Sequence, residues 1–262
     1  MNIVVCIKQV PDTNDVKIDK KTNTLIRQGV KSIINPYDMH AIEAGLRLRE
    51  EYGGKVTVIS MGPSQVKDSL KEAISLGVDQ VILLSDRAFA GADTLATSYT
   101  LSKGIEKIKD VDLILCGKQA IDGDTAQVGP GIAEHLTIPH AAYVGEIMET
   151  TKEEVTVKRK IEDGYEKICL QLPALLTVIK EINEPRLPSI KGILKSRQIE
   201  DISAWTADDL DVNEDLIGLD GSPTQVVAVS TPKLDVETRI FDGECGYQVD
   251  CLLKALTEQK VL

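Results

Sequence analysis

From residue 2 to residue 8 the chain reads NIVVCIK, an apolar run without polar alternation. A strand covered on both faces of a parallel sheet has that pattern. Related runs recur at 55–61 (KVTVISM), at 78–85 (ending VILLS) and at 111–116 (VDLILC). The stretches between them carry the helical period instead. Residues 38–51 place Ile42, Gly45 and Leu46 on one side, with Asp38 as the expected cap and Gly53-Gly54 as the stop. Val66, Leu70, Ala73 and Ile74 form the face of a second helix that Gly77 closes. A third helix, 92–108, has Leu95, Tyr99, Ser102 and Ile105 along one side. Strands alternating with helices at this spacing predict an α/β fold with a doubly wound parallel sheet, strand order 3-2-1-4-5.

Two stretches break the alternation. Residues 9–36 are long and polar, with short alternating pieces around Val16–Ile18 and Thr24–Ile26, and predict a small hairpin or a wandering loop. From about His140 four strand-like runs follow (141–148, 153–160, 166–172, 175–181), and Glu162-Asp163-Gly164 makes a tight turn between two of them. They predict an antiparallel extension on the α/β core. After Asn183-Glu184-Pro185-Arg186 the chain turns irregular. Prolines, the acidic run 208–215 and the lone Trp205 point to an extended arm at 187–235, held by another chain rather than by its own core. A short helix at 246–260 ends it. Two domains are expected, 1–186 with the nucleotide-binding core and 187–262 with the arm.

The totals narrow the function. The chain has 262 residues, 42% hydrophobic and 27% charged, enough for a substantial core in an ordinary soluble protein. A net charge of −11 argues against nucleic acid and anionic membrane surfaces as partners. It is compatible with an anionic ligand, because local backbone dipoles hold phosphate in an acidic protein. The first residues read as a strand rather than a leader, so a cytoplasmic location is expected. Of five cysteines, Cys6, Cys116 and Cys169 lie in apolar strands and read as buried small hydrophobes, not as a metal site. The three histidines read as structural or solvated, so no catalytic or metal-ligating residue is expected.

Candidate chemistry sits in LILCGKQAIDGDTAQVGPGIA, residues 113–133. A strand runs into a Gly/Asp/Thr-rich turn, and a helix starting at Thr125 carries Val128, Ile132 and Leu136. Strand, loop and helix N-terminus make a phosphate-holding geometry, with free N–H groups and the helix dipole facing the anion. An ordinary strand-to-helix connection has the same local look. With strand order 3-2-1-4-5, the ends of strands one and four form the switch point where open α/β sheets bind ligands.

Three motifs in order give the chain a likeness over essentially its whole length. They are VxxxKQVPDT with Asn35-Pro36, the loop GKQAIDGDTAQVGPG, and Val157-x-Arg159-x-x-Glu162-Asp163-Gly164-Tyr165-Glu166-x-Ile168 continuing to Pro173-x-Leu175-Leu176-Thr177. The chain resembles the β (small) subunit of electron transfer flavoproteins. The resemblance implies an adenine-nucleotide α-hydrolase-like sheet and a heterodimer with an α subunit that carries the electron-transferring FAD. In simple members the β-subunit cleft holds AMP. In bifurcating members of anaerobes it holds a second FAD that accepts hydride from NADH, and the loop AIDGDTAQVGPGIAEHL looks like theirs. The implied electron route gives one electron to the α-subunit FAD and an acyl-CoA or enoyl-CoA dehydrogenase/reductase, and the other to ferredoxin or flavodoxin. Carried over by position, the cofactor contacts are Cys6, Asn35-Pro36-Tyr37-Asp38, Met61 and Asp122-Gly123-Asp124-Thr125-Ala126-Gln127-Val128-Gly129-Pro130-Gly131-Ile132-Ala133. The flavin supplies the redox chemistry, so no side chain of this chain need act as acid or base. Residues 185–195 fall where the family has its recognition loop, with Ile190 as the apolar anchor beside Ile193 and Leu194. A plain adenine-nucleotide sensor is the reading from another class, disfavoured by the extension and the arm. An ATP-using ligase needs an S-G-G-x-D-S loop after the first strand, where this chain has VCIKQVPDT.

Overall fold

The apolar runs pair into one nine-stranded sheet. In chain order the strands are β1 (Asn2–Cys6), β2 (Gln9–Pro11), β3 (Ile18–Asp19), β4 (Thr24–Leu25), β5 (Ser32–Ile34), β6 (Lys55–Met61), β7 (Gln80–Leu84), β8 (Leu113–Gly117), β9 (His140–Thr150), β10 (Glu154–Ile161), β11 (Gly164–Gln171), β12 (Ala174–Val178) and β13 (Ala204–Trp205). The helices are α1 (Pro36–Tyr52), α2 (Val66–Leu76), α3 (Thr94–Ile108), α4 (Val128–Leu136), α5 (Ile190–Gln198) and α6 (Cys245–Glu258). This computed structural model describes residues 1–12, 18–19, 24–25, 32–202, 204–228 and 238–261. The expected hairpin is the antiparallel pair β3/β4; Val16 and Ile26 lie outside the described residues.

The sheet order is β11-β10-β9-β12-β8-β1-β6-β7-β13. Its central run, β7-β6-β1-β8-β12, realises the expected order 3-2-1-4-5, all parallel. Alternation along each strand then divides the core in two. Ile3, Val5, Val58 and Leu115 face one side with Ile42, Leu46 and Leu70 of α1 and α2. Val4, Ile59, Ile114 and Leu175 face the other with Leu101, Ile105 and Ile132 of α3 and α4. Helices on both faces make the sheet doubly wound. Strands β9, β10 and β11 add the antiparallel extension, and Gly164 (φ 145°) makes the turn at the signature motif.

Outside the loop before α4, local expectations differ from the structure in four places. Asp38 does not cap α1; it lies inside the first turn with its carboxylate turned to two strand ends, and Asn35 precedes the helix. Leu95 is exposed, because Asp93 caps α3 and sets the buried face at Ala96, Leu101 and Ile105. Cys169 is exposed, since β11 is an edge strand with one face in solvent. Past residue 186 the chain is not irregular throughout: Ser189 caps α5, Trp205 pairs with Leu84, and Ile202, Leu210 and Ile217 enter the core. Contacts divide the chain into Met1–Val227 and Ala228–Leu262. In the second unit, α6 presents Tyr247, Val249, Leu252 and Leu253 to solvent.

Candidate functional site

Strands β1 and β8 are neighbours in register, Cys6 beside Cys116, at the middle of the sheet. Helix α1 lies on one face and α4 on the other, so the connections diverge and leave a crevice at the C-terminal strand ends. Ligands of open α/β sheets bind in that place. The Cys116 thiol is pushed well up by its hydrogen bond to Cys6 and by burial, which leaves Cys116 as inert filling beneath the crevice, beside the buried Cys6.

The crevice is tied together by the start of α1. The Asp38 carboxylate accepts the Lys8 N–H at 2.7 Å, the Gly117 N–H at 3.2 Å and the Asn35 amide at 3.0 Å. It thus joins the ends of β1 and β8. Asn35 also donates to the Gln119 carbonyl at 2.8 Å and accepts the Ile121 N–H at 3.1 Å. Asn35 is 1% exposed and Asp38 5%. Desolvation pushes the Asp38 carboxyl up to about 7, against the pull of its three N–H donors and the Lys8 ammonium. At the crevice mouth Lys8 Nζ lies 2.7 Å from both carboxylate oxygens of Asp122.

Beyond Ile121 the loop opens to solvent. Asp122, Gly123, Asp124 and Thr125 are exposed, and Asp124 and Ala126 take left-handed φ of 50° and 53°. Those two residues postpone the helix, which begins at Val128 rather than at Thr125. Helix α4 has no side-chain cap, because the Gln127 amide oxygen accepts the Thr94 hydroxyl instead. Among the described residues, the backbone N–H groups of Thr125, Ala126, Gln127, Val128 and Gly129 have no hydrogen-bond partner. Five unpaired donors at an uncapped helix N-terminus make a cradle for an anion. A Cβ on Gly123 would meet nothing within 4 Å, so its side of the loop is open. The other glycines serve packing. A Cβ on Gly129 would come within 2.6 Å of Thr177, and one on Gly131 within 2.7 Å of Ser98.

The remaining expected residues divide between crevice and core. Pro36 is exposed at the rim, Tyr37 is half-buried there, and Met61 ends β6 half-buried. Pro130 is half-buried in the first turn of α4, whereas Ile132 and Ala133 are 0% exposed and pack in the core with Ile114 and Leu175. Lys118, which the sequence reading passed over, lies 5.8 Å from the Tyr37 ring and 5.4 Å from the Tyr143 ring. Lys8 was equally missed, although it stands in KQVPDT at the end of the first apolar run. Far from the crevice, Ile190 opens α5 at 81% exposure, with Leu187 and Leu194 exposed and Ile193 half-buried. Arg186 anchors the start of that segment on α1, through Glu43 at 2.7 Å and Glu50 at 2.5 Å. Burial raises the Glu43 carboxyl, but the Arg186 and Arg47 hydrogen bonds outweigh it and hold Glu43 below the usual range.

Among the described residues no helix is long and apolar enough to cross a membrane. A family model described as an electron transfer flavoprotein domain matches residues 22–210. An electron transfer flavoprotein subunit beta of Thermoanaerobacterium thermosaccharolyticum is 54% identical over 262 residues, the whole of both chains. The caffeyl-CoA reductase-Etf complex subunit CarD of Acetobacterium woodii is 52% identical, again over the full length of both. Protein FixA of Azotobacter vinelandii is 48% identical over 89% of this chain and 85% of its own.

Proposed function

Since the chain belongs to the electron transfer flavoprotein family as a β subunit, we propose that its crevice holds FAD and that the heterodimer with the α subunit bifurcates electrons from NADH. The observation that carries the nucleotide reading is the run of five unpaired amides at the start of α4, which suits the diphosphate. Gly123 leaves room beside it, and Met61 and Pro36 offer apolar rim for a ring system. Ile132 and Ala133 support α4 from the core side and are not among the proposed contacts.

A bound flavin would supply the redox chemistry, hydride acceptance from NADH and one-electron transfer toward the α-subunit FAD and toward ferredoxin or flavodoxin, and the residues that would hold it are the amides of 125–129 with Pro36 and Met61 at the rim. This chain binds and orients. The amides of 125–129 hold negative charge without a cationic side chain. The fixed ends of β1 and β8 set the floor, and the buried thiols keep it apolar. Full-length identity to a subunit of a caffeyl-CoA reductase-Etf complex supports an acyl-CoA-type reductase or dehydrogenase as the electron partner. The cytoplasm is the compartment proposed, and residues 187–262 are proposed to serve partner recognition and packing on the α subunit.

Denaturing the purified heterodimer and counting released nucleotides by chromatography tests the reading. Two FAD and no AMP per pair is the expected result. One FAD with one AMP makes the protein a single-flavin carrier and removes the NADH step. A second expectation concerns α5. Leu187, Ile190 and Leu194 are exposed apolar residues on an anchored base, so Ile190→Ala should slow transfer to the acyl-CoA enzyme about five- to thirtyfold, roughly 1–2 kcal/mol of anchor burial. Nucleotide content should not change. Transfer at the wild-type rate at subsaturating partner refutes the anchor.

A further inference from the structure

Asn35 and Asp38 stand next to the crevice, yet both are buried and every strong hydrogen-bonding atom they carry is already engaged within the chain. We infer that they are positioning residues: a buried latch that fixes the loop 117–124 to the ends of β1 and β8, and so presents the α4 amides to the nucleotide. The inference rests on the nucleotide reading of that crevice.

The geometry has three parts. First, the Asn35 side chain treats the loop as a neighbouring strand would. Its Nδ2 donates to the carbonyl of Gln119 and its Oδ1 accepts the N–H of Ile121, two residues on. That two-point bridge sets both the position and the rotation of the peptide planes between them. Second, Asn35 is itself held. Its N–H donates to the Lys8 carbonyl at 2.8 Å, and its Nδ2 donates to Asp38 at 3.0 Å. Third, Asp38 pins the root of the loop, because its Oδ1 accepts the Gly117 N–H and its Oδ2 the Lys8 N–H.

The loop has little else at its root. Beyond the latch, Gly117 ends β8 in register with Val178 and the Lys118 N–H donates to the Val178 carbonyl; the other bonds lie inside the loop itself, from the Gly123 and Asp124 N–H groups to the Ala120 carbonyl and from Gln119 Nε2 to the Asp124 carboxylate at 2.6 Å. The Lys8–Asp122 ion pair lies at the solvent edge, where such pairs contribute little. The sheet holds Gly117 and Lys118 together with Asp38, whereas the latch alone ties residues 119–121 to the rest of the chain, and everything from Asp122 to Val128 hangs from it.

The test uses the heterodimer with its nucleotides in place. Amide hydrogen exchange is followed over 117–124, with β6 at the sheet centre as the internal reference, and nucleotide release is timed in parallel. In Asn35→Ala, exchange over 117–124 should rise tenfold or more while β6 stays as in wild type, and nucleotide should leave tenfold faster or more. Unchanged loop exchange overturns the latch, and so does an equal rise in β6, which marks general destabilisation. If Asn35→Ala does not fold, Asp38→Asn decides, because it keeps side-chain volume and the Asn35 bridge. Its amide oxygen serves the Gly117 and Asn35 donors and its nitrogen faces the Lys8 N–H. Exchange should then rise several-fold at Lys8 and over 117–121, and wild-type exchange there overturns the inference. A wild-type heterodimer without nucleotide at this crevice removes the nucleotide reading, and the exchange arm still decides the latch.

Discussion

Gly117→Ala should empty the crevice of nucleotide and lower the stability of the first unit by about 3 kcal/mol, the upper range for forced overpacking. A Cβ at this position would stand 2.3 Å from the Asp38 carboxylate oxygen and 2.7 Å from both the backbone carbon and the Cβ of Tyr37. None of these atoms is the free end of a flexible side chain. The Tyr37 atoms belong to the first turn of α1, and Asp38 is held by three donors. Relief requires α1 to retreat from β8, which breaks the Gly117–Asp38 hydrogen bond and shifts Asn35 away from Gln119 and Ile121. The glycine is needed for close approach, not for its φ, which is not in the left-handed region. Its replacement therefore acts on the ligand through α1. Denaturant midpoints and a count of bound nucleotide check the expectation. Wild-type nucleotide content in a Gly117→Ala heterodimer refutes the claim that this contact governs the cradle.

Helices and strands of the α/β half were legible because burial on both faces makes strand segments such as 3–6 and 113–116 wholly apolar, and because Gly77 (φ 114°) marks a helix end in sequence as in structure. Topology followed, since alternating units have few ways to wind. The crevice was legible as a place, whereas the duties of single residues were not. Gly129, Pro130 and Gly131 enter the reading as cofactor contacts by resemblance alone, and the structure gives Gly129 and Gly131 a packing reason to be small, because β12 and α3 approach α4 there. Asp38 reads as a helix cap by position, and only the return of β8 beside β1 shows what its carboxylate faces. Helix α5 was hidden by Pro185, Pro188 and Gly192, although Ser189 before Ile190, Ile193 and Leu194 is a cap followed by helical spacing. Gly192 belongs there because a Cβ would fall 2.0 Å from the Ser75 carbonyl of α2.

Asp38 should make the protein less stable as pH rises from about 4 to about 7. Burial without a cationic partner in contact favours the neutral acid, so the native state keeps this proton up to about pH 7, whereas the unfolded chain releases it near 3.8. Between those values the unfolded state binds fewer protons than the native state, and stability falls with pH. Three pH units at about 1.4 kcal/mol each amount to about 4 kcal/mol across the window. Roughly half of it lies between about pH 5.5 and about pH 7, clear of the acidic isoelectric range where this chain precipitates most easily. Other carboxylates move the opposite way. Glu43, Glu50, Asp86 and Asp93 are held below their usual range, so the stability they contribute is fully present above the usual carboxylate range and is lost as pH falls below it. They are common to wild type and Asp38→Asn, so the difference between the two isolates Asp38. The variant carries a further cost at every pH, because its amide nitrogen, a donor, stands where Asp38 has an oxygen facing the Lys8 N–H. Wild type should therefore exceed the variant by most at low pH, and its advantage should shrink by about 2 kcal/mol as pH rises from about 5.5 to about 7. Urea unfolding of both proteins across that range measures the difference. A gap that stays constant means the carboxylate is ionised throughout, and the latch is then held by charge from the start.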